Sequence, residues 1–385
     1  MMTSRAELIR PFYVMQIMAR AEKRPADAPE VVSMVVGEPD FPTPAPIIKA
    51  AQKALNNNRI RYTPALGLQA LRHAIAQDYL DRDQLKIPAH RVAVTSGASA
   101  GLLLSLAAVL SPGDELLMTD PGYPCNRQFA LAVGAVPKSL ATSTGTHYQP
   151  RLEDIQRAWG PGTRAVLIAS PANPTGAIVD LEQVQAIAEW VRSQGGWLIM
   201  DEIYLRLSLQ EPLRSALSVS NDIISVNSFS KTYSMTGWRL GWLVVPDALI
   251  DTFERLAQNL FISPPFISQQ AAIAAFSSEA RAIADSYRDQ FLRQSEVLLP
   301  GLQALGFELP VTPAGGFYGF FDVSSFTDDS FKFCEALCDQ AGVLMAPGLD
   351  FTDEEPQKMV RVSFPKSEPV LQEGLRRIER FLTNS

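Results

Sequence analysis

An α/β fold, with one large sheet-bearing domain and a smaller α+β domain, is predicted by three features of the sequence. Short apolar runs alternate with amphipathic segments from about residue 91 onward. Five of those runs lead straight into polar, glycine or aromatic residues. The last hundred residues change character, with long helical stretches around two short strands. Strands that alternate with helices pair in parallel and are covered on both faces. At 385 residues the chain is also longer than one hydrophobic core usually supports.

In chain order, Arg91–Thr95 reads as a strand and Ser99–Leu110 as a buried helix, closed by the turn Ser111-Pro112-Gly113-Asp114. Glu115–Thr119 is a strand, Asn126–Val133 a helix and Ala165–Ala169 a strand. Leu181–Ser193 carries apolar residues at helical spacing. Trp197–Met200, Ile223–Val226 and Leu240–Val245 are three more strands. Beyond them, Ala280–Leu298, Ser330–Ala341 and Glu368–Leu382 read as helices, with short strands near Phe317–Asp322 and Val360–Phe364. The Pro-rich first forty residues, ending in Gly37-Glu38-Pro39-Asp40, read as an arm or as part of the smaller domain. The expected division is an arm over 1–45, a large domain over 46–280 and a C-terminal domain over 281–385.

Composition removes several classes of function. A net charge of −7 argues against a polyanion-binding surface, so no nucleic-acid partner is expected. Three cysteines (Cys125, Cys334, Cys338) are too few for a disulfide framework and fit a reducing compartment. Three histidines, none in an HExxH pattern, give no metal site. Arg5, Glu7 and Arg10 interrupt any N-terminal apolar run, and the longest apolar stretch, Ala98 to Leu110, is too short to span a bilayer. A cytoplasmic protein without membrane contact is the expectation.

The residues just past the strands point to a site. The five strand ends run into Ser96-Gly97-Ala98-Ser99, Asp120-Pro121-Gly122-Tyr123, Asn173-Pro174-Thr175-Gly176, Asp201-Glu202-Ile203-Tyr204 and Ser228-Phe229-Ser230-Lys231. Open parallel sheets bind ligands outside the carboxyl ends of their strands. Ser96–Ser99, between a strand and a helix, offers backbone N–H groups to an anion, although no Walker loop and no GxGxxG occurs. Lys231 is the sole charged side chain between Asp222 and Arg239. A lysine held in a pocket loses its proton readily and forms Schiff bases. Asp201 ends an apolar strand, where it serves either as a cap or as the counter-ion of a protonated ring nitrogen. Its neighbour Glu202 reads as structural.

At these residues the sequence resembles the class I/II aminotransferases, the aspartate-aminotransferase-like enzymes of fold type I that use pyridoxal 5′-phosphate. The similarity runs from Gly37-Glu38-Pro39-Asp40-Phe41 to Arg361-Val362-Ser363-Phe364. Its most specific piece is Ser228-Phe229-Ser230-Lys231-Thr232-Tyr233-Ser234-Met235-Thr236-Gly237-Trp238-Arg239-Leu240-Gly241-Trp242. The resemblance implies a mostly parallel seven-stranded sheet and a homodimer. It implies that Lys231 is the Schiff-base lysine and the proton shuttle, and that Asp201 pairs with the pyridinium nitrogen. Asn173 and Tyr204 would hydrogen-bond the phenolic oxygen, and Tyr123 would stack on the ring. Ala98 and Ser99 would hold the phosphate, with Ser228, Ser230 and Arg239 completing the cradle. Arg361 would clamp the substrate α-carboxylate, with Asn173 beside it and a backbone contact from Gly37. Tyr62 would reach the phosphate of the neighbouring subunit. Ala98 stands where many relatives have a second glycine, which a negative φ tolerates.

The activity so implied is transfer of the α-amino group of an L-amino acid to a 2-oxo acid in a ping-pong cycle between the pyridoxal and pyridoxamine forms of the cofactor. A β-lyase or related carbon-chain lyase on the same fold is the alternative. A transcription regulator built on this fold is disfavoured, because no basic patch and no helix-turn-helix precede the core. The substrate side chain is not legible. Phe12, Tyr13, Phe261, Pro264 and Pro265 could line its pocket, and packing is their more ordinary role.

Overall fold

The computed structural model describes residues 5–25 and 27–384, so residues 1–4 and 26 of the expected arm and residue 385 lie outside the described residues. From the N-terminus come helices α1 (Arg5–Leu8) and α2 (Tyr13–Ala21), strand β1 (Val32–Ser33), and helices α3 (Ala45–Asn56) and α4 (Gln69–Asp83). Then β2 (Val92–Thr95), α5 (Ala98–Val109), β3 (Glu115–Asp120), α6 (Pro124–Val133), β4 (Val136–Ala141), α7 (Leu152–Ala158), β5 (Thr163–Ala169), α8 (Leu181–Ser193) and β6 (Trp197–Asp201) alternate. The chain continues through β7 (Ile224–Ser228), the short helix α9 (Phe229–Thr232), β8 (Gly241–Val244), α10 (Ile250–Leu260), α11 (Phe266–Ile273) and the long α12 (Ser278–Ala304). It ends with β9 (Tyr318–Asp322), α13 (Ser330–Ala336), β10 (Val343–Leu344), β11 (Ala346–Pro347), β12 (Met359–Ser363) and α14 (Glu368–Thr383).

Seven strands form the large sheet in the order β2-β8-β7-β6-β5-β3-β4. All pairings are parallel except the two made by β8. Since β8 runs against both β2 and β7, the remaining six strands point the same way and share one carboxyl edge. The central strands β6 and β7, and β2 at one edge, are buried almost throughout, as strands covered on both faces must be. Helix α8 buries Val184, Ile187, Ala188 and Val191, which is one face at helical spacing. Edge strand β4 is different, being mostly exposed and carrying Pro137 and Lys138, both common on sheet edges.

A second core gathers elements from both ends of the chain. β11-β12-β9 form an antiparallel sheet, and β1 pairs in parallel with β10. The expected segment 330–341 is helical throughout, but after Ala336 it widens into a π-helical turn over Leu337–Ala341. Cys334 and Cys338 on this segment are both free and buried, in agreement with a packing role.

A buried ion-pair network fixes the segment just after β6, which carries Tyr204. The Arg206 guanidinium donates two parallel hydrogen bonds to Asp83 at the end of α4, at 2.8 Å each. Asp83 is 4% exposed. Asp78, one turn earlier, faces Arg281 of α12 at 2.8 Å. Removing one partner of such a pair leaves the other charge buried and uncompensated. Asp83→Ala is therefore expected to lower unfolding free energy by about 3–5 kcal/mol in chemical denaturation, whereas substituting the exposed Asp247, paired only with His90 at the surface, is expected to change it by well under about 1 kcal/mol.

Candidate active site

The shared carboxyl edge of the sheet brings the strand-end residues together. β6 and β7 are neighbours, so Asp201 at the end of β6 lies beside the exit of β7, which passes through Ser228 into α9 and Lys231. Ser228 caps that one-turn helix by accepting from the Ser230 N–H at 3.1 Å. Phe229, fully buried and packed on Trp242 at 4.8 Å between centroids, anchors the turn so that Lys231 faces the crevice.

Lys231 and Asp201 are both withdrawn from water, and neither forms an ion pair with the other. Lys231 Nζ donates to the Gly37 carbonyl of the arm at 2.6 Å. Burial pushes its ammonium down to about 8, Arg361 and Arg239 add to the fall, and Glu38 and Asp201 oppose it. Asp201 is 3% exposed and accepts one hydrogen bond, from the Ile203 N–H at 3.2 Å. Burial raises its carboxyl from 3.8 to about 7, with Glu202 contributing in the same direction. Glu202 is turned away as expected, accepting from Ser215 Oγ, Ser225 Oγ and the Ala216 N–H.

Arg361 supplies a buried cation from the second core. It sits on β12 opposite Phe320 of β9 and Ala346 of β11. Its Nη1 donates to Asn173 Oδ1 at 2.9 Å and its Nη2 to the Val35 carbonyl at 2.6 Å. The guanidinium carbon lies 4.3 Å from the Tyr318 ring centroid and 4.5 Å from that of Phe351. Arg361 Nε is buried with no hydrogen-bond partner among the described residues. Such a group, 3% exposed and without a paired carboxylate among the described residues, suits an incoming anion.

Tyr318 joins these parts. Its hydroxyl hydrogen-bonds that of Tyr204 at 2.9 Å and sits over Gly37, where an added Cβ would fall 2.0 Å from it. Burial raises the pKa of both tyrosines, so both stay protonated. The sequence does not single out Tyr318 or Phe351. The sole signal is a polar aromatic directly after Gly315-Gly316-Phe317 in a Phe-rich strand. Half-buried Tyr123 follows β3 at the crevice edge, and burial raises its phenol too.

On the far side, Gly97 caps α5 at φ 85, and a Cβ there would meet Arg239 Nη2 at 2.6 Å. Glycine is thus required both by conformation and by the guanidinium's approach. Ala98 begins α5 and is not among the positive-φ residues, as its methyl needs. Arg239 itself has φ 51, a left-handed conformation of the kind that collects at functional sites. Ser99 lies in the first turn of α5, and Ser228 and Ser230 close the turn beside it. Tyr62, implied to reach the cofactor, stays apart, 82% exposed on an outer loop. Phe12 and Tyr13 line a cleft beside Tyr123, which Phe261, Pro264 and Pro265 do not reach.

Comparison with known proteins gives a consistent picture. The family profile for class I and II aminotransferases matches residues 29–378. A valine–pyruvate aminotransferase of Mycobacterium tuberculosis is 39% identical over 99% of each chain. An aspartate/prephenate aminotransferase of Thermus thermophilus is 30% identical over 99% of this chain and 98% of its own. Among solved structures, an aminotransferase from Mycobacterium tuberculosis superposes with a TM-score of 0.96 at 38% identity, covering all of both chains. A mutant aspartate aminotransferase of Thermus thermophilus gives 0.93 at 31%, covering 99% of each.

The raised Asp201 carboxyl has a measurable consequence. Between pH 3.8 and about 7 the folded protein binds the Asp201 proton more tightly than the unfolded chain does. Its contribution therefore destabilises the fold progressively as pH rises through that window. Urea denaturation of cofactor-free protein is expected to show this decline, and Asp201→Asn to remove it. Identical pH profiles for the two proteins would contradict the assignment.

Proposed function

The chain belongs to the class I and II aminotransferases, and on that premise we propose that Lys231 carries pyridoxal 5′-phosphate in this site, with Asp201 and Arg361 as its principal partners. The enzyme, of fold type I, moves the α-amino group of an L-amino acid to a 2-oxo acid in two half-reactions that share one site. The observation that carries the assignment of residues is the pair of opposite charges, half-buried Lys231 and buried Asp201, neighbours at adjacent strand ends yet not paired with each other.

The residues present fit the cofactor. Asp201, with one hydrogen-bond donor, would hold the protonated ring nitrogen. Asn173 and Tyr204 would hold the phenolic oxygen, and Tyr123 would cover the ring. Ala98, Ser99, Ser228, Ser230 and Arg239 would hold the phosphate at the N-terminus of α5, where the glycine conformation and the close guanidinium already form a concave polar wall. When bound, the cofactor supplies an electron sink for the charge left as the substrate Cα–H bond breaks.

The protein supplies positioning and the proton. Arg361, fixed by Asn173, by the Val35 carbonyl and by two aromatic rings, holds the α-carboxylate, with Gly37 of the arm on its other side. Lys231 Nζ takes the proton from the substrate Cα. With its ammonium near 8, about half the amine is neutral at pH 8, against roughly 0.3% for an ordinary lysine.

The same reading includes a cytoplasmic homodimer, with the chain divided into an arm (1–45), a large domain (46–280) and a C-terminal domain (281–385). Support for the dimer comes from exposed apolar residues at two adjoining places, Ile60 and Tyr62 on a loop, and Leu260 and Ile262 at and just past the end of α10. Gln269 Nε2 ties the loops by donating to Thr63 Oγ1 and to the Pro264 carbonyl. Clustered exposed apolar groups mark association surfaces, and on this reading Tyr62 reaches the partner's phosphate from there. Three unpaired cysteines accord with a reducing compartment.

Visible absorption tests the reading. Purified protein is expected to show the yellow band of a lysine-bound cofactor, which one amino donor converts to a pyridoxamine-type spectrum without an acceptor. Lys231→Ala is expected to abolish the conversion. A protein that stays colourless with added cofactor would overturn the assignment, and release of ammonia and pyruvate would mark a lyase instead.

A further inference from the structure

We infer that the side-chain cleft of this enzyme accepts neutral, apolar amino acids and 2-oxo acids, and that Asp353 sets the preference by occupying the two arginines that face the cleft. The inference rests on the aminotransferase reading, with Arg361 holding the α-carboxylate.

The cleft lies between the start of the arm and the loop after β3. Phe12, Tyr13, Tyr123, Leu349 and Phe351 provide its apolar walls. It adjoins the carboxylate site, because Phe351, which lines it, is also one of the two rings stacked on Arg361. A substrate held at its α-carboxylate by Arg361 therefore meets this wall next.

Its charged lining consists of Arg10 and Arg127 against Asp120, Asp350 and Asp353. An acidic side chain needs a cation here, and Asp353 lies against both arginines, closely at Arg127 and more loosely at the largely exposed Arg10. Arg127 Nη2 is hydrogen-bonded to Asp353 Oδ2, with Ser139 Oγ at 3.1 Å beside it. Arg10 Nη1 lies 3.7 Å from the other Asp353 oxygen. A second carboxylate would either displace Asp353 from Arg127 or sit beside it, and two anions near one guanidinium repel each other.

A cationic side chain is no better served. Asp350 is taken up by the N–H groups of Tyr13 and Val14, at 2.9 and 2.8 Å, where it caps helix α2. Asp120 Oδ2 accepts from the Asp353 N–H at 3.1 Å, while its other oxygen is buried and has no hydrogen-bond partner among the described residues. An ammonium group would have to share Asp350 or Asp353 with the groups they already accept from, or reach that buried oxygen. What the cleft leaves available is aromatic and aliphatic surface, which favours transfer of an apolar side chain from water. Donor and acceptor use the same cleft in turn, so the preferred acceptor is likewise a neutral 2-oxo acid rather than a dicarboxylic one.

The test compares valine, leucine, aspartate, glutamate and lysine as donors in the single half-reaction, in wild-type holoenzyme and in Asp353→Asn and Asp353→Ala. Dissociation constants for the corresponding α-methyl amino acids, which lack the reacting hydrogen, separate binding from chemistry. Wild type is expected to favour valine or leucine over glutamate and aspartate by at least about 100-fold in kcat/KM. Each variant, once shown to fold by its thermal melt, is expected to narrow that ratio at least about tenfold, through tighter binding of the acidic ligands. Preference for aspartate, glutamate or lysine in the wild type, or a ratio unmoved in both variants, overturns the inference while leaving the aminotransferase reading intact. Conversion with none of the donors overturns both.

Discussion

Two opposite charges held at adjacent strand ends, buried Asp201 on β6 and half-buried Lys231 just past β7, are the constraint around which the molecule is organised. A buried charge without a partner is costly, and here each is given only a backbone contact, from Ile203 and from Gly37 respectively. The result is an amine brought toward neutrality and a carboxylate brought toward protonation. Both shifts run against the stability of the isolated chain and in favour of chemistry. They are maintained because the surrounding scaffold, with β6 and β7 buried in the middle of a seven-stranded sheet, cannot relax around them.

The second core completes the site from across the crevice. Arg361 reaches it from β12, and its position is set by groups from three places: Asn173 after β5, Val35 in the arm, and the rings of Tyr318 and Phe351. Asp350, next to Phe351, ties the start of α2 to the same place through two backbone N–H groups. The arm therefore does more than cover the protein. It supplies the carbonyls that hold Lys231 and Arg361, and one wall of the cleft that meets the substrate side chain.

Much of this was legible in the sequence, for identifiable reasons. Leu181–Ser193 is recovered with the same bounds because its apolar residues keep one helical face. The strand ends are legible because continuous apolar runs stop abruptly at polar residues, which is how a buried parallel sheet meets its crevice. Strand β4 escapes notice because Pro137 and its exposed residues give neither alternation nor a continuous apolar run. Tyr318 and Phe351 escape for another reason. Their importance lies in facing Arg361 and Tyr204, and contacts across such sequence separations leave no local pattern. The charge state of the cleft is hidden in the same way, since Arg10, Arg127 and Asp353 meet only in the fold.

The most direct test of the central claim is to reduce the cofactor-loaded protein with borohydride and locate the modified residue by mass spectrometry of its peptides. Cofactor mass on Lys231 alone is the expected result. Attachment at any other lysine, or protein that takes up cofactor without a reducible link to Lys231, would contradict it.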